Sequence, residues 1–561
     1  MTGLATAVLP AAESLSLAQQ VAQMVVVRAS GHLFDHQIAY PAWEADSEKL
    51  RYYLQDLGVG GVILLGGSAA EVGVRSQTLQ ALADIPLLLA ADIEEGVGQR
   101  FSGATWFPPP MALEAIAEQD MPTALVLAEQ FGAITAQEAL AIGLNWVLAP
   151  VVDVNNNPAN PVINVRAFGQ SPQRVRALTS AFLRGAKTQS VLTAAKHFPG
   201  HGDTAIDSHL ELPLIEHDRE RLDQVEFEPF RGAIAAGVDS VMTAHLQVPA
   251  LDPRYPATLS RATLTQTLRQ DLGFDGLIVT DALIMGAITR TYGPYEAAVL
   301  AVEAGVDVLL MPTDPEGTIR AVCEAVTVGR LSEARILDSV ERIWRAKQKV
   351  TSLLSIPPES CHAWEHLPPP PVQLELLAQP ASRQVAATIL RRSATVHGQL
   401  TLPQASMAAQ EARSNIVIVD DAVGCPYLNR TASAIAWPQQ LGYRFKLIDG
   451  QGCYQLPDRD FISEAGPSLL QLFIRGNPFR SSAQLLQLAD CWLQALLEAD
   501  QLQGLVIYGS PYVLEHFQPQ LPTAVPYAFT YGQMPEAQSE ILRAFGFASL
   551  GSVGLSQDFT D

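Results

Sequence analysis

The sequence predicts an α/β fold class: an N-terminal (β/α)8 TIM-type barrel over residues 1–354, a proline-rich linker over 355–373, and a second, smaller C-terminal α/β sandwich domain over 374–561. Three observations predict it. Short apolar runs alternate with longer amphipathic segments through the first 315 residues, the pattern of parallel strands and crossover helices. Residues able to do chemistry stand just past the C-terminal ends of those runs, and a barrel gathers strand ends at one mouth. The composition then breaks at "SIPPESCHAWEHLPPPPVQ", where proline fixes φ and removes backbone donors, before a second series of strands and helices begins.

Taken in order, the strands of the barrel are expected at "MVVV", "GGVILL", "PLLLAA", "NWVLAPVV", "LTAAK", "DSVMTA", "GLIVT" and "VDVLLM". Between them "SEKLRYYLQDLG", "EVGVRSQTLQALAD", "TALVLAEQFGAITAQEALAIG", "PQRVRALTSAFLRGAK", "DQVEFEPFRGAIAAG", "ATLTQTLRQDLG" and "PYEAAVLAVEAG" carry helical periodicity, often closed by glycine. A doubly wound open sheet would require a glycine fingerprint after an early strand, and none is present. A long helix, "RLSEARILDSVERIWRAKQKV", ends the barrel. Beyond the linker, "SNIVIVDDA", "YRFKLID", "SLLQLFIRG", "LQGLVIYGSP" and "AVPYAFTYG" read as strands and "SAQLLQLADCWLQALLEA" as a helix.

With 36 Lys and Arg against 58 Asp and Glu, the net charge is −22, which repels nucleic acid and anionic lipid and favours a small or neutral ligand. The five cysteines, Cys323, Cys361, Cys425, Cys453 and Cys491, are far apart and form no C-x-x-C pair, so buried thiols are expected rather than disulfides or a zinc site. The N-terminal segment lacks the basic region of a signal peptide, and no stretch is apolar for the length of a membrane span, which makes the cytoplasm the expected compartment.

Arg28, Asp92, Asp153, Lys196 with His197, His245 and Asp281 are the polar residues at strand ends. In "GLIVTDALIMGA", Asp281 follows an apolar strand, a position that serves either a ligand at a barrel mouth or the next helix as its N-cap. The segment "KHFPGHGDTAIDSH", residues 196–209, is the densest titratable stretch. Within it Asp207 and His209 are spaced so that the carboxylate can hold one ring nitrogen and leave the other for proton transfer, a pairing equally compatible with a solvated surface loop. Lys196, His197, His201, His209, His245 and Asp281 also offer metal-ligand types. The first strand lacks the His-x-His pair a barrel metallohydrolase would carry, so a metal-dependent amidohydrolase ranks second. No metal and no cofactor is expected.

"AKHFPGHGDTAIDSHLELP", "SVMTAHLQVPALD" and "GFDGLIVTDAL", preceded by "LAPVVDVNNNPANPVINVRAFGQSP", together resemble the β-N-acetylglucosaminidases of glycoside hydrolase family 3 over residues 15 to 350. The linker and second α/β domain resemble the longer members. The resemblance implies that Asp281 is the nucleophile of a retaining hydrolase and His209 the acid/base, polarised by Asp207. It further implies that Asp92, Arg100, Arg166, Lys196 and His197 hold sugar hydroxyls, with Lys196 and Arg166 keeping Asp281 ionised. The implied substrate is a terminal β-linked N-acetylglucosaminide, from peptidoglycan-derived fragments by family analogy. A β-glucosidase or a phosphorylase of the same family is the alternative. Glu95 in "DIEEGVGQR" replaces the first glycine of the family's D-x-E-G-G, which is expected to alter the turn beside Asp92, and Ala167 and Ser171 stand where Ser and Asp are common.

Overall fold

A computed structural model of the chain describes residues 9–204, 212–351, 371–402, 412–451, 456–476 and 483–547. Two compact units divide at Val385/Ala386. In the first, eight parallel strands run β1 (Val25–Ser30), β2 (Gly61–Leu65), β3 (Leu88–Ala91), β4 (Trp146–Val147), β5 (Leu192–Phe198), β6 (Ser240–Thr243), β7 (Leu277–Val279) and β8 (Leu309–Leu310). They are hydrogen-bonded in the order β7-β6-β5-β4-β3-β2-β1-β8, and a bridge between Val279 and Val308 joins the two ends, so the sheet curls into the expected barrel. The strands are buried almost throughout, as a parallel sheet covered by helices requires.

Local chemistry explains several departures in length. The run "NWVLAPVV" forms only the two-residue β4, because Pro150 has no N–H for the ladder; pairing resumes beyond it as a bridge from Val151 to Lys196. Asn145 compensates at the start of β4. Its side-chain oxygen accepts the Leu89 N–H at 2.8 Å and its amide donates to the Leu87 carbonyl at 3.0 Å, reproducing a peptide's pairing with β3. The long helix Met111–Ala141 is two helices joined at Asp120, whose carboxylate caps the second by accepting from the backbone N–H and hydroxyl of Thr123. Ser16 and Ser68 open their helices with capping boxes closed by Gln19 and Glu71.

Charge is also concentrated at the foot of the barrel, where the strands begin. Asp307, fully buried, accepts from the Ile278 N–H, from the Ser339 hydroxyl and from Arg342, and is paired with Arg269. Burial pushes the Arg269 guanidinium down to about 10 despite that partner. Such a cluster at the opposite end from the mouth reads as a stabilising device.

The second unit is a six-stranded sheet in the order β11-β10-β12-β13-β14-β9, from β9 (Thr395–His397), β10 (Ser414–Val419), β11 (Arg444–Asp449), β12 (Ser468–Ile474), β13 (Leu502–Gly509) and β14 (Tyr527–Thr530). All neighbours are parallel except β14 and β9, which are antiparallel. The expected linker lies outside the described residues except for 371–373, where Val372 packs on Gly73 and Gln373 donates its N–H to the Ala141 carbonyl. The cysteines correct one expectation: Cys323 and Cys425 are partly exposed and Cys491 is exposed, because the helix Ala483–Glu498 turns Leu485, Leu488, Ala489, Trp492 and Leu493 inward and leaves Cys491 on the other face. Cys361 and Cys453 lie outside the described residues. Among the described residues no helix is long and apolar enough to cross a membrane.

The helix Glu333–Thr351 buries Lys347 completely; its ammonium donates to Gln23 at 2.7 Å and lies over the Trp344 ring. Burial pushes this lysine down to about 7 from an ordinary 10.5. Since its neutral form is favoured in the folded state, folding is penalised most below about pH 7, and the penalty fades as pH rises towards 10.5. Lys347→Met is therefore expected to unfold at higher denaturant than the wild type at pH 7, with the gap narrowing in titrations repeated towards pH 10.

Candidate active site

The C-terminal ends of the strands build a charged mouth. Beyond β3 the chain turns through Asp92, Glu94 and Glu95, and the last residues of β5 are Lys196, His197 and Phe198. A register shift between Lys196 and Phe198 interrupts the pleat, so that adjacent Lys196 and His197 both find partners on loops of the mouth. Lys196 extends its ammonium to Asp92 at 2.7 Å and to Glu94 at 2.5 Å. Glu94 also receives a two-pronged contact from Arg166, Nε to Oε2 at 2.8 Å and Nη2 to Oε1 at 2.9 Å.

These pairings set the charge states. Burial alone would raise the Glu94 carboxyl, but Arg166 and Lys196 outweigh it and hold Glu94 well below the usual carboxylate range. Burial likewise would strip the proton from Lys196, and Asp92 with Glu94 more than restores it. The Asp92 side chain is 35% exposed, whereas those of Lys196 and Glu94 are 1% and 3% exposed; Asp92 is thus the open end of an otherwise buried network. Arg100 donates Nε to the Asp92 backbone carbonyl at 2.9 Å and fixes the chain there.

A second cluster surrounds Asp153. Its buried carboxylate accepts the N–H of His201 at 2.7 Å and of His197 at 3.1 Å and meets His197 Nδ1 at 2.8 Å. Burial raises the Asp153 carboxyl, but His197 and His201 draw it below its ordinary value. His201 is pushed down to about 4, mainly by burial and against the pull of Asp153; it also feels the charge of Asp281, which places the end of β7 in electrostatic reach of this cluster. Asp281 is partly exposed, its Oδ1 accepting the Ala282 N–H at 2.7 Å. His245, buried, spans from Thr258 Oγ1 at 2.8 Å to the Ala282 carbonyl at 3.2 Å and so positions the peptide next to Asp281.

The structure thus brings Asp92, Arg100, Arg166, Lys196 and His197 to one mouth, with Asp281 beside it. Asp207 and His209 lie outside the described residues. On either side of them, Gly202 packs so closely on the Val154 carbonyl that a Cβ would stand 1.8 Å from it, and Leu214 bridges to Gln247. The ion-pair partners of Lys196 are Asp92 and Glu94, and that of Arg166 is Glu94. Glu94 and the role of Asp153 were missed from the sequence; Glu94 is one of two adjacent acids in "DIEEG", and only the turn decides which of them faces the cations. At Glu95 the left-handed conformation of the turn falls on the next residue, Gly96 (φ 83°), and the buried Glu95 carboxylate accepts the Trp106 indole N–H at 3.1 Å. Among the described residues no group of three or more His, Cys, Asp or Glu is placed to hold a metal ion.

Comparison with known proteins identifies the family of both units. Residues 16–346 match the Glycosyl hydrolase family 3 N terminal domain and residues 406–545 the Bacterial Glycosyl hydrolase family 3 C-terminal domain. The chain belongs to glycoside hydrolase family 3. Among its relatives, Beta-hexosaminidase A of Pseudoalteromonas piscicida is 34% identical over 323 residues, 52% of this chain and 54% of that one. The match therefore spans about half the length of that relative. A Beta-hexosaminidase of Nitrosomonas eutropha is 34% identical over 315 residues, 53% of this chain and 90% of its own. The solved structure of a glycoside hydrolase family 3 beta-N-acetylglucosaminidase from a Paenibacillus species is similar across both units, with a TM-score of 0.74, 30% identity, and coverage of 95% of this chain and 96% of that one.

Glu94→Ala is expected to leave two buried cations short of their partner and to lower unfolding free energy by about 3 kcal/mol in denaturant titrations. Because Glu94 sits below its ordinary 4.5, that loss should be full above pH 4.5 and shrink only in more acidic buffer, as Glu94 of the wild type takes up its proton.

Proposed function

We propose that the chain is a retaining β-N-acetylglucosaminidase, removing terminal non-reducing β-linked N-acetylglucosamine. Asp281 is its nucleophile, His209 its acid/base, and Asp207 the group that orients His209. The observation that carries this reading is the partly exposed Asp281 at the end of β7, with its peptide fixed by His245, on the mouth that holds the Asp92–Lys196–Glu94–Arg166 network. The family 3 relatives named as hexosaminidases support the substrate class. A peptidoglycan-derived fragment is the natural substrate we favour, on the family resemblance.

In this mechanism the Asp281 carboxylate attacks the anomeric carbon while His209 gives its proton to the departing glycosidic oxygen, leaving a glycosyl ester on Asp281. Water then attacks that carbon from the vacated side, His209 takes the water's proton, and the ester bond to Asp281 breaks with overall retention. An imidazole, with a reference pKa of about 6.5, is closer to neutral pH than an ordinary carboxylic acid and adds no negative charge near the nucleophile. In this reading Asp92 and Lys196 grip vicinal hydroxyls of the sugar, the exposed carboxylate accepting and the buried ammonium donating. Arg166 and His197 complete that grip, and Arg100 holds the Asp92 backbone in place.

Turnover of 4-nitrophenyl N-acetyl-β-glucosaminide against the corresponding glucoside tests the specificity; preference for the glucoside would overturn it. Asp281→Asn should lower kcat at least a thousand-fold. His209→Ala should lose far more rate on a poor leaving group than on nitrophenol, and equal losses on both would remove His209 from the acid role. Release of free N-acetylglucosamine at an unchanged rate when inorganic phosphate is added distinguishes hydrolysis from phosphorolysis.

A further inference from the structure

Arg28, in the second half of β1, is a sequence-predicted site residue that the proposed chemistry does not use. Its guanidinium donates through Nε and Nη2 to Glu44 Oε1, at 3.2 and 3.0 Å, and lies 5.2 Å from the ring centre of Tyr40 and 5.6 Å from that of Trp43. Glu44 is buried, and its other oxygen accepts the Tyr40 N–H at 3.4 Å. The two rings stand 5.7 Å apart with planes within 12° of parallel, yet Tyr40 is 48% and Trp43 42% exposed. Phe34, on the same loop, is exposed as well.

An exposed aromatic pair is ordinarily a cost in water. Here the loop is fastened rather than loose: Ala45 returns alongside Ala29 as a parallel bridge, and Asp35 accepts from the N–H and hydroxyl of Ser47. The bridge lies beyond the end of β8 on β1, and β8 is the strand next to β7, which leads to Asp281. The rings are therefore built into the same end of the barrel as the charged mouth. The ion pair beneath them is neutral overall, so they present a flat, uncharged, apolar surface. That surface suits the C–H face of a pyranose, whose hydroxyl rim stays in water, and offers nothing to an anion.

We infer that Tyr40 and Trp43 form an aglycone platform, stacking a sugar residue on the leaving-group side of the scissile bond. This rests on the glycosidase reading above and extends it from the sugar that is released to the one left behind.

The test compares methyl N-acetyl-β-glucosaminide, whose aglycone carries no ring, with chitotriose, in the wild type, Trp43→Ala, Trp43→Phe and Tyr40→Ala. Stacking of this kind predicts about a five-fold fall in kcat/KM on chitotriose for each alanine variant. Trp43→Phe should retain most of the rate, and the methyl glycoside should be unaffected by any of the three. Equal falls on both substrates would assign the loop a purely structural role and overturn the inference, as would no fall on either. Loss of self-association on size-exclusion chromatography with unchanged rates would instead make the rings a contact between copies. If the wild type turns over neither substrate, the activity reading fails. Calorimetric binding of chitotriose to the wild type and to Trp43→Ala then decides the platform by itself, with equal affinities overturning it. Tyr40→Ala supplies the second measurement should Trp43→Ala not fold.

Discussion

The mouth of the barrel depends on one carboxylate, Glu94, shared by a buried ammonium and a guanidinium. Lys196 and Arg166 reach it from different parts of the chain, one from a strand and one from a short loop turn, and it compensates both of their charges where water is largely excluded. The pairing ties the turn after β3, the end of β5 and the segment around Arg166 into one unit. It also leaves Asp92, the carboxylate open to solvent, in contact with a lysine whose charge is already secured. Such an arrangement holds an acceptor and a donor side by side in fixed positions, with their charges settled before anything binds.

A second layer works by orientation. Asp153 collects the backbone N–H groups of His197 and His201 together with the His197 ring, so the chain leaving β5 is held at three points before it enters the glycine-rich segment. His245 does the corresponding work across the mouth by fixing the Ala282 carbonyl beside Asp281. Precision at the site therefore comes from residues that need never touch a ligand, placed on strand ends whose positions the barrel dictates.

Much of the barrel was legible because parallel strands covered on both faces must be apolar throughout and must alternate with amphipathic helices. The strand ends, and with them Asp92, Lys196, His197 and Asp281, followed from that periodicity. What escaped has physical causes. β9 is three residues long and exposed, so it carries no alternation, and its pairing is set by β14. The helix Met111–Ala141 was legible only from Thr123 onwards, because Pro122 just past the joint at Asp120 reads as a helix start and masks the turns before it. Glu94 and Glu95 have the same charge and are neighbours, yet one turns to the cations and the other to an indole; the difference lies in the path of the turn at Gly96, which composition does not encode. The cysteine expectation failed because burial on a helix is decided by its face, not by residue type.

Asn145 carries a chemical liability of its own. Its side chain stands in for a peptide group, giving and accepting one hydrogen bond each to the flanks of β3 where β4 is too short to do so. Deamidation would convert the donating nitrogen to an anionic oxygen facing the Leu87 carbonyl, replacing attraction with repulsion inside the wall of the barrel. Chemical change at this one side chain would thus loosen the seam between β3 and β4 from inside the wall.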